Sequence, residues 1–182
     1  MMKNFLFLAD GFEEIEALAT VDILRRAGMD VKTVSINPGK DVTGAHGVVV
    51  KADLTFKEAD FGGSDWLITP GGMPGAQNLH DFAPLMDLLK IHHGRLASIC
   101  ASPSLVLAPA GVLKGVAATC YPGMEQGLKD GGAVVEDRSV VATERIITGH
   151  GPGATFVFAL AIVAATLGES HAREVAAAML VK

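Results

Sequence analysis

Cysteine is scarce, with only Cys100 and Cys120 in 182 residues. That count excludes a disulfide-stapled scaffold, and two thiols in a reducing compartment are better explained by chemistry or packing. Basic charge is also short. The formal net charge is −5 and no cluster of Lys and Arg occurs, which argues against a nucleic-acid partner. No long hydrophobic run exists. The longest, Phe156 to Ala165, is too short to span a bilayer, so no membrane role is expected. Met1 to Asp10 lacks the longer apolar stretch and small-residue cleavage site of a secretory signal. The expectation is a soluble, cytoplasmic protein. His92 and His93 are adjacent and diverge on a helix, and no ligand spacing for zinc appears, so no metal is expected. The chain has no internal repeat and no linker, and its length suits one domain over residues 1–182.

What is present is an alternation of short apolar runs with helical stretches. Phe5–Ala9 reads as a buried strand, and residues 13–27 as a helix with Glu13 and Glu14 in its first turn and Gly28 as its cap. Ile15, Leu18, Ala19, Ile23 and Leu24 define the face expected to pack on a sheet. Val31–Ile36, Trp66–Thr69 and Leu96–Ile99 read as strands, and Val48–Val50 as a hairpin arm or edge strand. Helices are expected over 83–92, 102–110, 152–167 and 170–179, the third apolar on nearly every face and therefore buried. Val116–Thr119 reads as a short strand, and short strands at 134–135, 140–141 and 146–147 suggest a more antiparallel region. The pattern is that of an α/β fold, a mostly parallel sheet with helices on both faces, whose chemistry gathers at the carboxyl ends of the strands.

Four segments place unusual residues at such ends. In Ala97-Ser98-Ile99-Cys100-Ala101-Ser102, small residues stand two before and two after the cysteine. A sharp strand-to-helix turn brings those positions together, as in the Gly-x-Ser-x-Gly elbow of hydrolases. Such a turn exposes the sulfur and aims a helix N-terminus at it, and both favour thiolate. A buried cysteine serving as a small hydrophobe fits the same position, and the local pattern does not separate the two. In Asp10-Gly11-Phe12-Glu13-Glu14-Ile15-Glu16, Glu16 borders the inward face, while Glu13 and Glu14 read as solvated first-turn charges. A partly buried Glu16 keeps a proton and can donate it towards a thiolate. In Pro70-Gly71-Gly72-Met73-Pro74-Gly75 the paired glycines let backbone amides approach a ligand. With the amide of Ala101 they form a candidate oxyanion hole, whereas their spacing fits no phosphate-binding fingerprint. In Gly149-His150-Gly151-Pro152-Gly153, His150 is a candidate substrate ligand or acid–base group, with His46 and Tyr121 weaker candidates of the same kind.

Taken in order, these segments resemble the ThiJ/PfpI superfamily, in the branch of Parkinson disease protein seven. The match also covers Asp22–Gly28, Ile68-Thr69 and Gly75-Ala76-Gln77-Asn78-Leu79, and so runs nearly end to end. The resemblance implies a flavodoxin-like three-layer sandwich, related to the class I glutamine amidotransferase domain. It puts Cys100 on the elbow cysteine, Glu16 on its hydrogen-bonding glutamate, and Gly72 and Ala101 on the oxyanion positions. His150 falls where some relatives have arginine near the pocket and dimer interface, and Tyr121 where some have histidine. Ala101 stands where the protease-like branch has histidine, which argues against a peptidase. A homodimer is implied by the resemblance alone.

The family's activities imply a cofactor-free, cysteine-dependent enzyme acting on small reactive aldehydes, of glyoxalase or deglycase type, protective against carbonyl stress. The alternative is a redox sensor or chaperone whose Cys100 is oxidised by peroxide and steadied by protonated Glu16. Cys120 would resolve a sulfenate in that scheme, or else simply fill the core. An older family label, thiazole monophosphate biosynthesis, finds no support in these residues.

Overall fold

A computed structural model describes residues 2–181. The first strand, β1 (Lys3–Leu8), shows why the centre is a parallel sheet buried on both faces. Phe5 and Phe7 enter one core, and Leu6 and Leu8 enter the other. A strand alternates its side chains between faces, so a continuous apolar run feeds two cores at once. The same alternation recurs in β6 (Ser64–Thr69), where Trp66 and Ile68 face one core and Leu67 the other.

With β2 (Asp30–Ser35), β5 (Leu54–Thr55), β7 (Arg95–Ile99), β10 (Val140–Ala142) and β11 (Ile146–Gly149), these strands form a seven-stranded sheet. Its order is β10-β11-β7-β6-β1-β2-β5. Every pairing is parallel except β10 with β11. Helices α1 (Glu14–Arg26), α5 (Thr155–Leu167) and α6 (Glu169–Ala178) cover one face. On the other lie α2 (Gly75–Asp81), α3 (Ala83–Ile91) and α4 (Glu125–Asp130). The expected flavodoxin-like sandwich is therefore the fold. Two small ribbons flank it: β3 (Asp41–Thr43) with β4 (Val49–Lys51), and β8 (Ala117–Ala118) with β9 (Val134–Val135). No helix among the described residues is long and apolar enough to cross a membrane.

Several sequence expectations are corrected. Helices α2 and α4 and strands β3 and β5 were not expected. The β8–β9 pair is parallel, because α4 forms the crossover between its strands. The helix expected over 102–110 is a π-helical turn at Pro103–Leu107, with the Ala108 amide bonded to the Pro103 carbonyl at 3.0 Å. The sheet-facing side of α1 is rotated from the expected one. Ala17, Thr20, Val21, Ile23 and Leu24 are buried, while Ile15 and Leu18 point outward. With this rotation Glu16 is buried as well. Helix α5 is not buried all round either, since Phe156 and Val157 are exposed on its outer side.

Candidate functional site

The carboxyl ends of β1, β6, β7 and β11 bring three loops and the start of α1 together. Cys100 follows β7 directly and has φ 65°, in the left-handed region a side chain rarely adopts. Such strain costs roughly 1–3 kcal/mol and persists only where the surroundings enforce it. Here they do. The Cys100 amide donates to the Gly149 carbonyl at 2.9 Å, and the Tyr121 amide donates to the Cys100 carbonyl at 2.8 Å. The flanking small residues are locked as well. Ser98 Oγ accepts from Thr69 Oγ1 at 2.8 Å, and Ser102 Oγ donates to the Pro70 carbonyl at 2.5 Å. This is the elbow read from the sequence, with one correction: the sulfur is not held open to solvent, because Cys100 is only 7% exposed.

Glu16 lies against the elbow and is fully buried. Its Oε2 accepts the Gly71 amide at 2.7 Å, while Oε1 has no hydrogen-bond partner of ordinary geometry among the described residues. The carboxyl also interacts with the Cys100 thiol beside it. Gly71 makes this possible. A Cβ there would lie 2.6 Å from Cys100 Cβ, 2.8 Å from Glu16 Oε2 and 3.0 Å from Cys100 Sγ. Gly72 has φ 89°, and a Cβ on it would meet the Glu13 nitrogen at 2.4 Å. Only glycine lets the loop pass so close to α1.

Burial raises the Glu16 carboxyl to about 7; the Gly71 amide and Cys100 work against the rise, and the Glu13 charge adds to it. Burial pushes the Cys100 thiol up to about 12, helped by the Glu16 charge and opposed by the amides of Gly72 and Ala101. The expectation that the turn alone favours thiolate is thus corrected, since burial and an ionised Glu16 both hold the proton on sulfur. The two groups titrate as a unit. The thiolate belongs with a protonated Glu16, whose charge no longer opposes it while the amides of Gly72 and Ala101 still favour it.

Glu13 and Glu14 are not solvated charges, as the sequence suggested, but buried groups. The β3–β4 hairpin folds over them, tied by the Gly11 amide to the Thr43 carbonyl at 2.7 Å and the Ala45 amide to the Phe12 carbonyl at 2.8 Å. Glu13 caps α1, its Oε2 accepting the Glu16 amide at 2.7 Å. Glu14 accepts both the backbone amide and Nδ1 of His46, each at 2.7 Å. Burial opposes the Glu14 carboxylate, but these bonds outweigh it and hold its pKa below the usual range. The same hydrogen bond raises that of His46. Glutamate is not among the usual capping residues, so no local signal marked Glu13 as the cap. Ligand atoms of Glu13, Glu14 and His46 lie within 4.8 Å of one another, the spacing of a cation site. Each residue is, however, already engaged in the bonds just described.

His150 and Tyr121 stand further out. The His150 amide donates to the Ser139 carbonyl at 3.0 Å, and its side chain lines a cavity of about 100 Å³ with Thr119, Cys120, Pro122 and Glu125. The exposed Tyr121 ring covers Gly151, where a Cβ would sit 3.4 Å from Cδ2. Cys120 is a free, buried thiol whose pKa burial raises against a hydrogen bond with Ser104.

An α/β sandwich with a cysteine on a strained elbow, an acid partner and converging amides defines a class of protein. The chain belongs to the DJ-1/PfpI family, whose model matches residues 2–165. It is 35% identical over 185 residues to Drosophila melanogaster protein dj-1beta, covering 100% of this chain and 98% of that one. Identity to Arabidopsis thaliana protein DJ-1 homolog B is 35% over 183 residues; the match takes in 99% of this chain but only 42% of that relative's length. Caenorhabditis elegans glutathione-independent glyoxalase DJR-1.2 is 36% identical over 156 residues, with 83% and 81% coverage. Among solved structures, oxidized Toxoplasma gondii DJ-1 superimposes with a TM-score of 0.93 at 33% identity, covering 99% of this chain and 98% of that one.

Proposed function

We propose that the protein is a cofactor-free, cysteine-dependent enzyme that converts small 2-oxoaldehydes such as methylglyoxal to hydroxy acids. The observation that carries this reading is the juxtaposition of Cys100, a buried Glu16 carboxyl and the amides of Gly72 and Ala101. The C. elegans relative named a glutathione-independent glyoxalase supports it. Cys100 thiolate adds to the aldehyde carbon, and the aldehyde oxygen takes the proton from Glu16. The two amides hold that oxygen as charge develops. The Glu16 carboxylate then removes the hydrogen of the same carbon as a proton and returns it to the neighbouring ketone carbon, while the hydroxyl proton passes from the first oxygen to the second through the enediol. The product is a thioester. Water cleaves its carbon–sulfur bond, releasing lactate and the thiolate, and of the two protons set free one returns to Glu16 and the other leaves to solvent. One carbon is oxidised as its neighbour is reduced, so no external oxidant is needed.

The purified protein should form lactate from methylglyoxal without glutathione, and Cys100→Ser should fall to the uncatalysed rate. Equal inactivity of the two would falsify this reading.

A second reading is favoured by the unpartnered Oε1 of Glu16, buried beside the sulfur. Protonated Glu16 can donate to a sulfinate made when the Cys100 thiolate takes one oxygen from each of two peroxide molecules, releasing two waters. After mild peroxide, mass spectrometry should find two added oxygens on Cys100 and none on Cys120. Equal oxidation of both thiols would count against a tuned sensor.

A further inference from the structure

The start of α1 carries three buried glutamates, and the charges of two of them have a use already described. Glu16 faces Cys100, and Glu14 pairs with His46. Glu13 takes part in no ion pair among the described residues. It is nevertheless fixed from two sides. Its amide donates to the Gly71 carbonyl at 3.0 Å, and its Oε2 accepts the Glu16 amide at 2.7 Å. The Gly72 backbone presses on it from the loop that also supplies the amide at Cys100.

The groups acting on Glu16 can be named from every side. Cys100 faces it from the elbow, the Gly71 amide from the loop after β6, and Glu13 from the cap of its own helix. Glu14 lies beyond, its charge matched by His46 from the β3–β4 hairpin. Glu13 makes no direct ion pair among the described residues; the His46 ring, bonded to Glu14, lies within 4.8 Å of its carboxylate and is the one cationic group facing it. A like charge held close disfavours ionisation of its neighbour.

We propose that Glu13 is a positioning residue whose charge adds to burial in keeping the proton on Glu16 and so raises the thiolate population of Cys100. Its effect on catalysis rests on the reading of Cys100 and Glu16 as the reacting pair. Its effect on Glu16 does not. Glu13→Gln separates charge from structure, since the amide oxygen still accepts the Glu16 N–H while the charge is gone.

The test has two readouts: the titration of the Glu16 carboxyl by carbon NMR, and the rate of Cys100 alkylation by iodoacetamide against pH. In Glu13→Gln the Glu16 midpoint should fall. Well above the Glu16 midpoint, alkylation should slow about tenfold for each unit of that fall, because one unit is a factor of ten in the proton equilibrium. Glu13→Asp, which keeps the charge, should stay near the wild type in both. Should Glu13→Gln not fold, Glu13→Ser removes the charge while retaining a strong capping residue. A purely capping role predicts an unmoved midpoint in the charge-removing variant, and that result overturns the proposal. If wild-type Cys100 instead proves no more reactive than Cys120, the proposed function fails, while the carboxyl titration still decides the role of Glu13.

Discussion

Replacing Glu16 with glutamine is expected to stabilise the fold at neutral and alkaline pH while removing most of the chemistry. Burial raises the Glu16 carboxyl from 4.5 to about 7. Between those values the folded state keeps a proton that the unfolded chain has lost. Folding stability therefore falls as pH rises through this window, and the full cost is present above it. At about 1.4 kcal/mol per unit the raised pKa corresponds to roughly 3 kcal/mol. Glutamine does not titrate, can still accept the Gly71 amide, and offers its own N–H towards the sulfur. Urea unfolding of wild type and Glu16→Gln at pH 5 and pH 8 measures the effect. The variant's advantage should grow by most of that amount between the two, and an advantage unchanged with pH would remove the assignment of a strained, buried acid. Activity should fall by about a hundred- to ten-thousand-fold, the usual contribution of a placed acid–base group. Stability and reactivity oppose each other here because both come from the same dry pocket.

Gly71→Ala should inactivate the site by filling it. A methyl there would lie 2.6 Å from Cys100 Cβ and 2.8 Å from Glu16 Oε2. Neither can yield easily. Cys100 is pinned in a left-handed conformation, and Glu16 is fully buried. Overpacking of this kind costs about 1–3 kcal/mol. The larger effect falls on geometry, since a displacement of about 1 Å at reacting groups can cost a hundredfold in rate. Gly153→Ala is the matched control, because a Cβ there meets nothing within 4 Å. Lactate formation and thermal unfolding of the two variants provide the comparison. Gly71→Ala should lose both activity and stability, and Gly153→Ala neither. An active Gly71→Ala would mean that the contact between loop and elbow does not govern the site.

Cys100, Gly71 and Gly72 were legible in the sequence because their signals are local. Buried parallel strands announce themselves as short apolar runs, and the residues that follow such runs fall at the edge where loops converge. Small residues around a cysteine report a tight turn in the same way, and φ 65° at Cys100 is its physical counterpart. Glu16 was legible as the polar residue at the border of a helical stripe. The burial of Glu13 and Glu14 was not, and neither was the bond from Glu14 to His46, 32 residues further on. Acidic residues in a helix's first turn are ordinarily solvated, and only a hairpin folded over this one removes them from water. Nor were the outward turn of Ile15 and Leu18 and the burial that holds a proton on Cys100 legible, since both depend on packing between distant segments.

The sequence by itself thus determined the sandwich, the elbow and the positions of Cys100 and Glu16 as candidates, because strand runs, turns and helix stripes are properties of neighbouring residues. Tertiary structure decided how that pair holds its proton. Burial and the field of nearby charges depend on segments far apart in the chain, and no local pattern encodes them.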